Sequence, residues 1–533
     1  MAFITLVRML GDLVGAHLPV YQQSATSKFF TGAFALLVFA IFKYPDRAIF
    51  VRPRPDLKGQ APRGYPLVGN MLEIIWNREN QLDAYLETHK RYGPVFTKTV
   101  PIMGRYIAIN TPHLLEHILK NNMDNYVKGY LFSHHLRDIL GHGIFVSDGA
   151  QWRFHRKTAS NVFTTRFYRS LVNGAFKSGA EELCRVFDRN IARGTMVDLQ
   201  SLFSRLTLDA FGKLTFGMDF QSLSKDGPNE FGDAFDFLAV EFDARVTNPF
   251  WFLTDRLIPG KVRRVQKALE ILDSYAQQAI TKRRCEDRTT AEGPRTRDML
   301  DFFINYRFED GTAMDDEALR DVFKNFMIAG RDTTAQGLTW MFYHLMANPH
   351  ALTNLRKEVA VVMGDSDEFE YETLTQRLPY AKAVFYETLR LYPPVPKNGK
   401  VALEDDILPD GTRIDKGDIV VFSNYCMARS TDIWGEDAER FVPERWLVED
   451  SAALSPFGRF RMESTFKFPS FNAGPRICLG QTFATIEALV TTIYVVRRYD
   501  FALAPNHPVP KPKGSVTIPM MEELKTRVSH RHT

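Results

Sequence analysis

Near the carboxyl end of the chain, the segment FPSFNAGPRICLG surrounds a cysteine with residues that suit a metal ligand. Phe471, Gly474, Arg476, Cys478 and Gly480 are spaced in it as F-x-x-G-x-R-x-C-x-G. A thiolate at an iron centre needs nearby amide donors and an apolar wall, and glycines let the backbone approach a flat cofactor closely. Taken alone, Cys478 has the alternative of being an inert buried thiol before a helix.

A carboxyl and a hydroxyl stand side by side in the apolar segment NFMIAGRDTTAQGLTW, which has helical spacing. Polar residues such as Asp332 and Thr333 are costly in the middle of an apolar helix, and a threonine hydroxyl can bond a backbone carbonyl and bend the helix. The small residues Ala329 and Gly330 leave room for a ligand against the helix backbone. The alternative for Asp332 and Thr333 is a helix N-cap.

Two charged residues one helical turn apart occur in YETLRLYPPVP. Glu387 and Arg390 stand at i and i+3, where a carboxylate and a guanidinium meet on one helix face. Arg445, in FVPERW further along, can add a second guanidinium. Taken alone, Glu387 and Arg390 are an ordinary surface ion pair.

Three more side chains can hold an anionic group. Trp152 and Arg156 are four residues apart and present an indole N–H and a guanidinium on one predicted helix face. A surface cation–π pair is the alternative for them. Lys400, in VPKNGKVALEDDILPDG, is a further candidate by position only.

Together these motifs resemble the cytochrome P450 superfamily, in the expected order, as far as about Leu503. The resemblance implies haem b with Cys478 as the axial thiolate and metal ligand, and Asp332 with Thr333 as the proton-delivering pair. It implies a structural cluster of Glu387, Arg390 and Arg445. The cofactor-binding residues that it implies, besides Cys478, are Phe471, Gly474, Arg476, Trp152, Arg156 and Lys400.

Apolar periodicity predicts a mainly α fold, with one large helical domain and small β-sheets preceded by a membrane anchor. The predicted domains are an anchor segment at 1–50, a proline-rich hinge at 51–70 and a haem-thiolate monooxygenase domain at 71–533. Most of the region from about Asn80 to Tyr386 is predicted to be predominantly helical. Short strands are expected in VFTKTVPIM, RYIAIN and DIVVFSN.

The anchor prediction depends on the apolar run FFTGAFALLVFAIF at residues 29–42, bracketed by Lys28 and Lys43. It is short, since a spanning helix needs about 20 apolar residues. A signal-peptide core and a buried helix are therefore alternatives. Basic residues are more frequent after the run than before it, which predicts an endoplasmic reticulum membrane protein whose catalytic domain faces the cytosol.

Composition excludes some classes of function. The 67 basic and 63 acidic side chains give a net charge of +4, which is too small to indicate nucleic-acid binding. The four cysteines contain no C-x-x-C pair, so neither a disulfide framework nor a zinc site is indicated. The 42 phenylalanines suit an apolar interior with a lipophilic pocket.

Several segments are similar to the plant and fungal fatty-acid hydroxylases that act at or near the chain terminus. The resemblance implies a lipophilic substrate, O2, and electrons from NADPH through a separate NADPH–cytochrome P450 reductase, with cytochrome b5 as an optional donor. No G-x-G-x-x-G with an acidic partner indicates a fused reductase domain. The alternatives are an alkane, fatty alcohol or other lipophile as substrate, a lipid-peroxide isomerase, and a haem-binding sensor without turnover.

Overall fold

The fold is mainly helical in a computed structural model that describes residues 25–57, 61–225, 227–248, 250–285, 289–290, 293–294, 298–513 and 516–531. The helices are α1 (Ala25–Lys43), α2 (Met71–Trp76), α3 (Gln81–Tyr92), α4 (Pro112–Glu116), α5 (Gly129–Leu140), α6 (Gly149–Ser160), α7 (Thr165–Leu171), α8 (Lys177–Arg193), α9 (Leu199–Phe216), α10 (Glu230–Thr247), α11 (Trp251–Leu257), α12 (Lys261–Cys285), α13 (Met299–Ile304), α14 (Asp316–Ala347), α15 (Pro349–Met363), α16 (Pro379–Leu391), α17 (Asn424–Ala428), α18 (Thr431–Trp434) and α19 (Gln481–Val496).

The strands form small sheets at the edges of the helical body. They are β1 (Val95–Val100), β2 (Gly104–Ile109), β3 (Tyr126–Val127), β4 (Val197–Asp198), β5 (Thr289–Thr290), β6 (Gly293–Pro294), β7 (Lys397–Ala402), β8 (Asp406–Ile407), β9 (Arg413–Ile414), β10 (Ile419–Ser423), β11 (Leu447–Val448), β12 (Arg459–Phe460), β13 (Tyr499–Leu503) and β14 (Lys525–His530). The largest sheet has the order β1-β2-β10-β7-β3, with β2 and β10 parallel and the other neighbours antiparallel. The strands predicted at β1, β2 and β10 are confirmed.

The longest helix, α14, runs through the core. The Asp315 side chain caps it by accepting the Ala318 N–H (2.7 Å), and Asp316 and Glu317 follow in the first turn, where negative charge suits the helix dipole. Beyond that turn most of its side chains are buried. They join those of α8, α9, α16 and α19 in one apolar core, so the middle of α14 is held firmly inside the molecule.

Glu387 is the centre of a buried ionic cluster behind the Cys478 segment. Its carboxylate accepts hydrogen bonds from Arg390 (2.8 Å), Arg445 (2.9 Å) and the Trp446 indole (3.0 Å), and Arg390 also donates to backbone carbonyl oxygens, among them that of Ala438 (2.6 Å). Glu387 and Arg390 are 0% and 1% exposed. The alternative of an ordinary surface pair is therefore wrong.

The apolar run near the amino terminus forms α1, with exposed side chains that include Phe29, Phe34 and Phe42. Among the residues that the structure describes, no helix is both long and apolar enough to cross a membrane. The expected spanning anchor therefore gains no support from the structure, and residues 1–24 of the predicted anchor segment lie outside the described residues.

In the proline-rich segment at 51–70, the described residues contain a 3-10 turn at Pro55–Leu57 and no α-helix. Arg54 links this segment to the β9–β10 region, because its guanidinium bonds Asp418 (3.2 Å) and the Arg413 carbonyl oxygen (2.6 Å). The segment is thereby fixed against the body of the protein.

We predict that Glu387→Ala lowers the free energy of unfolding by about 3–5 kcal/mol, because it leaves two guanidinium groups without their buried carboxylate. Chemical denaturation followed by circular dichroism measures the decrease in the free energy of unfolding. A variant that yields no folded protein would show the largest decrease. Glu404→Ala is the control, because the Glu404–Lys416 pair (2.8 Å) is exposed and its removal should change little. Equal denaturation midpoints for Glu387→Ala and the wild type would contradict the prediction.

Candidate active site

Cys478 lies in a tight loop that opens into a large internal cavity. Its backbone N–H donates to the Phe471 carbonyl oxygen (2.8 Å), and 3-10 turns at Pro469–Phe471 and Gly474–Arg476 shape the loop. Helix α19 begins three residues after the cysteine. Cys478 and Phe471 both line the cavity, whose volume is about 670 Å³.

Gly474 permits the loop to pass close to another segment. Its φ is +64°, and a Cβ atom built on it would lie 2.3 Å from the Leu119 carbonyl oxygen. Both features favour glycine, since other residues rarely adopt a positive φ and no side chain fits the gap. Gly474 is not among the residues that line the cavity, so the structure gives it a role in positioning the loop.

The protein surroundings alone do not favour a thiolate at Cys478. Burial raises the pKa of its thiol, whereas a hydrogen bond from the Gly480 N–H and the nearby charge of Arg156 lower it. A coordinated metal ion deprotonates a thiol outright. The loop therefore suits a cysteine that becomes a thiolate by binding a metal.

Cationic side chains cluster beside the cysteine loop. The Arg476 guanidinium pairs with Asp148 (2.6 Å) and lies 4.4 Å from the centre of the buried Trp152 ring. Arg156 donates to the Ile477 carbonyl oxygen, next to Cys478. The cation–π partner of Trp152 is thus Arg476 of the loop, and the alternative of a surface pair between Trp152 and Arg156 is wrong.

Two lysines add positive charge to this cluster. Lys400 is 1% exposed, and its Nζ has no hydrogen-bond partner among the described residues. Lys128 lies near Arg476 and Lys400, and burial lowers its pKa to about 8. Lys128 was not identified from the sequence, because nothing in its local pattern distinguishes it from a surface lysine.

These residues fit a haem. In the described part of the chain, Lys128, Lys400 and Arg156 have no carboxylate within 4.0 Å, and Asp148 is already paired with Arg476. A buried ammonium without a partner is costly, and an anionic group in the cavity removes that cost. Arg476, Arg156, Lys128 and Lys400 would hold the propionate groups of a haem, and the Cys478 thiolate would bind its iron.

Asp332 and Thr333 line the same cavity from the middle of α14. The alternative of a helix N-cap is wrong, since α14 begins at Asp316. The Thr333 hydroxyl donates to the Ala329 carbonyl oxygen (2.7 Å). At Gly330 a Cβ atom would lie 2.0 Å from the Phe211 ring, so this turn of the helix requires a residue without a side chain.

A chain of ion pairs links Asp332 to the surface. Arg331 is buried and bonds both Asp332 (3.0 Å) and Asp236 (2.6 Å), and the Asp236 side chain is 63% exposed. Burial raises the pKa of Asp332 to about 6, although the charge of Arg331 opposes the shift. Near neutral pH the Asp332 carboxyl can therefore both accept and release a proton. No sequence motif identified Arg331 as the partner of Asp332.

Most of the rest of the cavity wall is apolar. Aliphatic and aromatic side chains from β1, α5, α9, α10, α14 and the segment after α16 surround it. A cavity of this size and character suits a lipophilic small molecule. The aromatic part of the wall includes Phe96, Phe132, Phe163, Phe211, Phe242 and Phe326.

Known proteins are similar to this chain in sequence. The family model described as Cytochrome P450 matches residues 60–527. Cytochrome P450 monooxygenase cyp1 of Mycosarcoma maydis is 34% identical, over 94% of this chain and 80% of its own length. Cytochrome P450 704B1 of Arabidopsis thaliana is 33% identical over 91% of this chain and 97% of its own length. Cytochrome P450 94C1 of the same plant is 36% identical over 81% of this chain and 86% of its own length.

We predict that Gly474→Ala loses most of its haem, because the new methyl group would push the loop away from Leu119 and move Cys478. The ratio of Soret to protein absorbance measures haem content. Gly411→Ala is the matched control, since Gly411 also has a positive φ (+86°) but has open space around it. It should cost about 1–2 kcal/mol of stability and keep the haem. Equal haem content in both variants would contradict the prediction.

Proposed function

The chain belongs to the cytochrome P450 family and is a haem-thiolate monooxygenase; from this premise we propose that it hydroxylates long-chain fatty acids at or near the chain terminus. The observation that carries the proposal is the apolar cavity shared by Cys478, Asp332 and Thr333. A long hydrocarbon chain gains free energy by leaving water for such a cavity. The sequence resemblance to terminal fatty-acid hydroxylases supports the same substrate.

When bound, haem activates dioxygen. One oxygen atom is inserted into a C–H bond, and the other takes up two electrons and two protons to become water. Cys478 holds the iron through its sulfur. Arg476, Arg156, Lys128 and Lys400 hold the propionates by charge. These contacts fix the reactive centre against the cavity wall.

Asp332 and Thr333 manage the two protons. The Asp332 carboxyl takes a proton from the solvent side, where Arg331 and Asp236 connect it to the surface, and releases it toward the cavity. The Thr333 hydroxyl, held by the Ala329 carbonyl oxygen, can orient a water molecule or accept a hydrogen bond in the cavity. The apolar wall keeps other water away from the reaction.

The two electrons are proposed to come from NADPH through a separate NADPH–cytochrome P450 reductase, with cytochrome b5 as an optional donor. The proposed location is the endoplasmic reticulum membrane, with the catalytic domain on the cytosolic side. Exposed apolar side chains on α1, among them Phe29 and Phe42, support contact with a membrane. Basic residues that follow α1, such as Arg47 and Arg52, support the orientation.

We expect terminal or near-terminal hydroxylation of long-chain fatty acids when washed microsomes containing the full chain receive reductase and NADPH. Mass spectrometry locates the new hydroxyl group, with matching alkanes and fatty alcohols assayed in parallel. Oxidation of only the alkane or alcohol would contradict the fatty-acid proposal. Turnover of lipid peroxides without NADPH would indicate an isomerase, and recovery of the activity in the soluble fraction would contradict the location.

We predict that Thr333→Ala lowers the amount of product formed per NADPH at least several-fold and releases more hydrogen peroxide, because the proton path loses its hydroxyl. Thr333→Ser should restore the ratio. Thr339→Ala is the matched control: the Thr339 hydroxyl also donates to the carbonyl four residues earlier (2.7 Å), yet it lies outside the cavity lining. An unchanged ratio in Thr333→Ala would remove Thr333 from the mechanism.

A further inference from the structure

We propose that Lys397 binds the carboxylate of the substrate and so directs the opposite end of the hydrocarbon chain toward the part of the cavity that Asp332 and Thr333 line. This inference rests on the proposed fatty-acid hydroxylation and names the residue that would recognise the acid. Lys397 is the first residue of β7 and lines the cavity. It belongs to none of the motifs from which the function was predicted.

The charge of Lys397 is available for a ligand. Among the described residues, no carboxylate lies within 4.0 Å of its Nζ, and its contact with the Tyr85 ring is 5.6 Å long. Its environment is dry enough that burial lowers its pKa. A carboxylate placed beside it would stabilise the ammonium form and gain a charge-assisted hydrogen bond.

Neighbouring charged groups are already engaged. Lys98, which faces Lys397 from β1, pairs with Glu73 (2.7 Å) and donates to the Thr88 hydroxyl (3.2 Å). Asp243 faces Lys397 from α10, and its carboxylate accepts the Val516 N–H (2.5 Å). An incoming carboxylate would therefore meet Lys397 with no carboxylate within 4.0 Å of its Nζ among the described residues, whereas Lys98 is already paired with Glu73.

Lys397 and Lys400 line the cavity in different surroundings. They are three residues apart on β7, which at 3.3 Å per residue separates them by about 10 Å. Lys400 shares its surroundings with Lys128, Arg476 and Asp148, beside the cysteine loop. Lys397 instead lies near Tyr85, Lys98 and Asp243, away from that cluster. One strand thus presents separate cations to the cofactor and to the substrate.

The apolar wall of the cavity explains why an ion pair between Lys397 and the substrate carboxylate would set the position of oxidation. Methylene groups make no directional contacts with aliphatic and aromatic side chains, so the wall alone leaves a chain free to slide. An ion pair in a low-dielectric cavity is strong and fixed in place. With the carboxylate held at Lys397, the carbons far from it are the ones that can reach the part of the cavity lined by Asp332 and Thr333.

The test compares a long-chain fatty acid with its methyl ester, using the spectral shift of the haem on ligand binding as the readout. We expect wild-type protein to prefer the acid. Lys397→Met should weaken acid binding about 10- to 100-fold, as loss of a charged hydrogen bond does, and leave ester binding unchanged. Hydroxylation of the acid should spread to more positions. Lys397→Arg should retain acid binding.

Lys416→Met is the matched control, because it removes the same charge from an exposed site. If Lys397→Met and the wild type bind the acid equally and hydroxylate it at the same positions, Lys397 does not bind the substrate carboxylate. That result would not contradict fatty-acid hydroxylation. A wild-type protein that binds neither acid nor ester would overturn both. Lys397→Gln serves as a second neutral variant if Lys397→Met loses its haem.

Discussion

Lys400 keeps an ammonium group in the interior with no hydrogen-bond partner among the described residues, beside Lys128, Arg156 and Arg476. Asp148 neutralises Arg476, so positive charge is left in excess. Burying such charge costs several kcal/mol per group unless an anion accompanies it. A haem with its two propionates supplies that anion. The charge cluster and the cofactor therefore depend on each other, and the position of the reactive centre depends on both.

The elements around this cluster are rigid for separate reasons. Behind the cysteine loop, Glu387 binds Arg390 and Arg445 in a fully buried network that ties α16 to the segment after α18. On the opposite side, the middle of α14 is packed into the core and presents Asp332 and Thr333. The Glu387 network and the middle of α14 are both held in place by packing. The fold itself therefore sets the distance from the Cys478 thiol to Asp332 and Thr333.

Local sequence determined much of this arrangement. The spacing around Cys478 and the polar interruption at Asp332 and Thr333 are short-range patterns, and these three residues line one cavity. The helical regions and the strands at β1, β2 and β10 follow from apolar periodicity, which depends on neighbours along the chain. The apolar run at residues 29–42 is helical too, but the spanning anchor inferred from it is not supported.

Only the tertiary structure decided which charges remain unpaired. Arg476 rather than Arg156 lies over Trp152, and Arg331 bonds both Asp332 and Asp236. Some of these contacts join residues about three hundred positions apart. The sequence around a lysine does not show whether a carboxylate will lie next to it in the folded protein. Burial and partners of side chains depend on distant segments, so Lys128 and Lys397 became recognisable only once the cavity was formed.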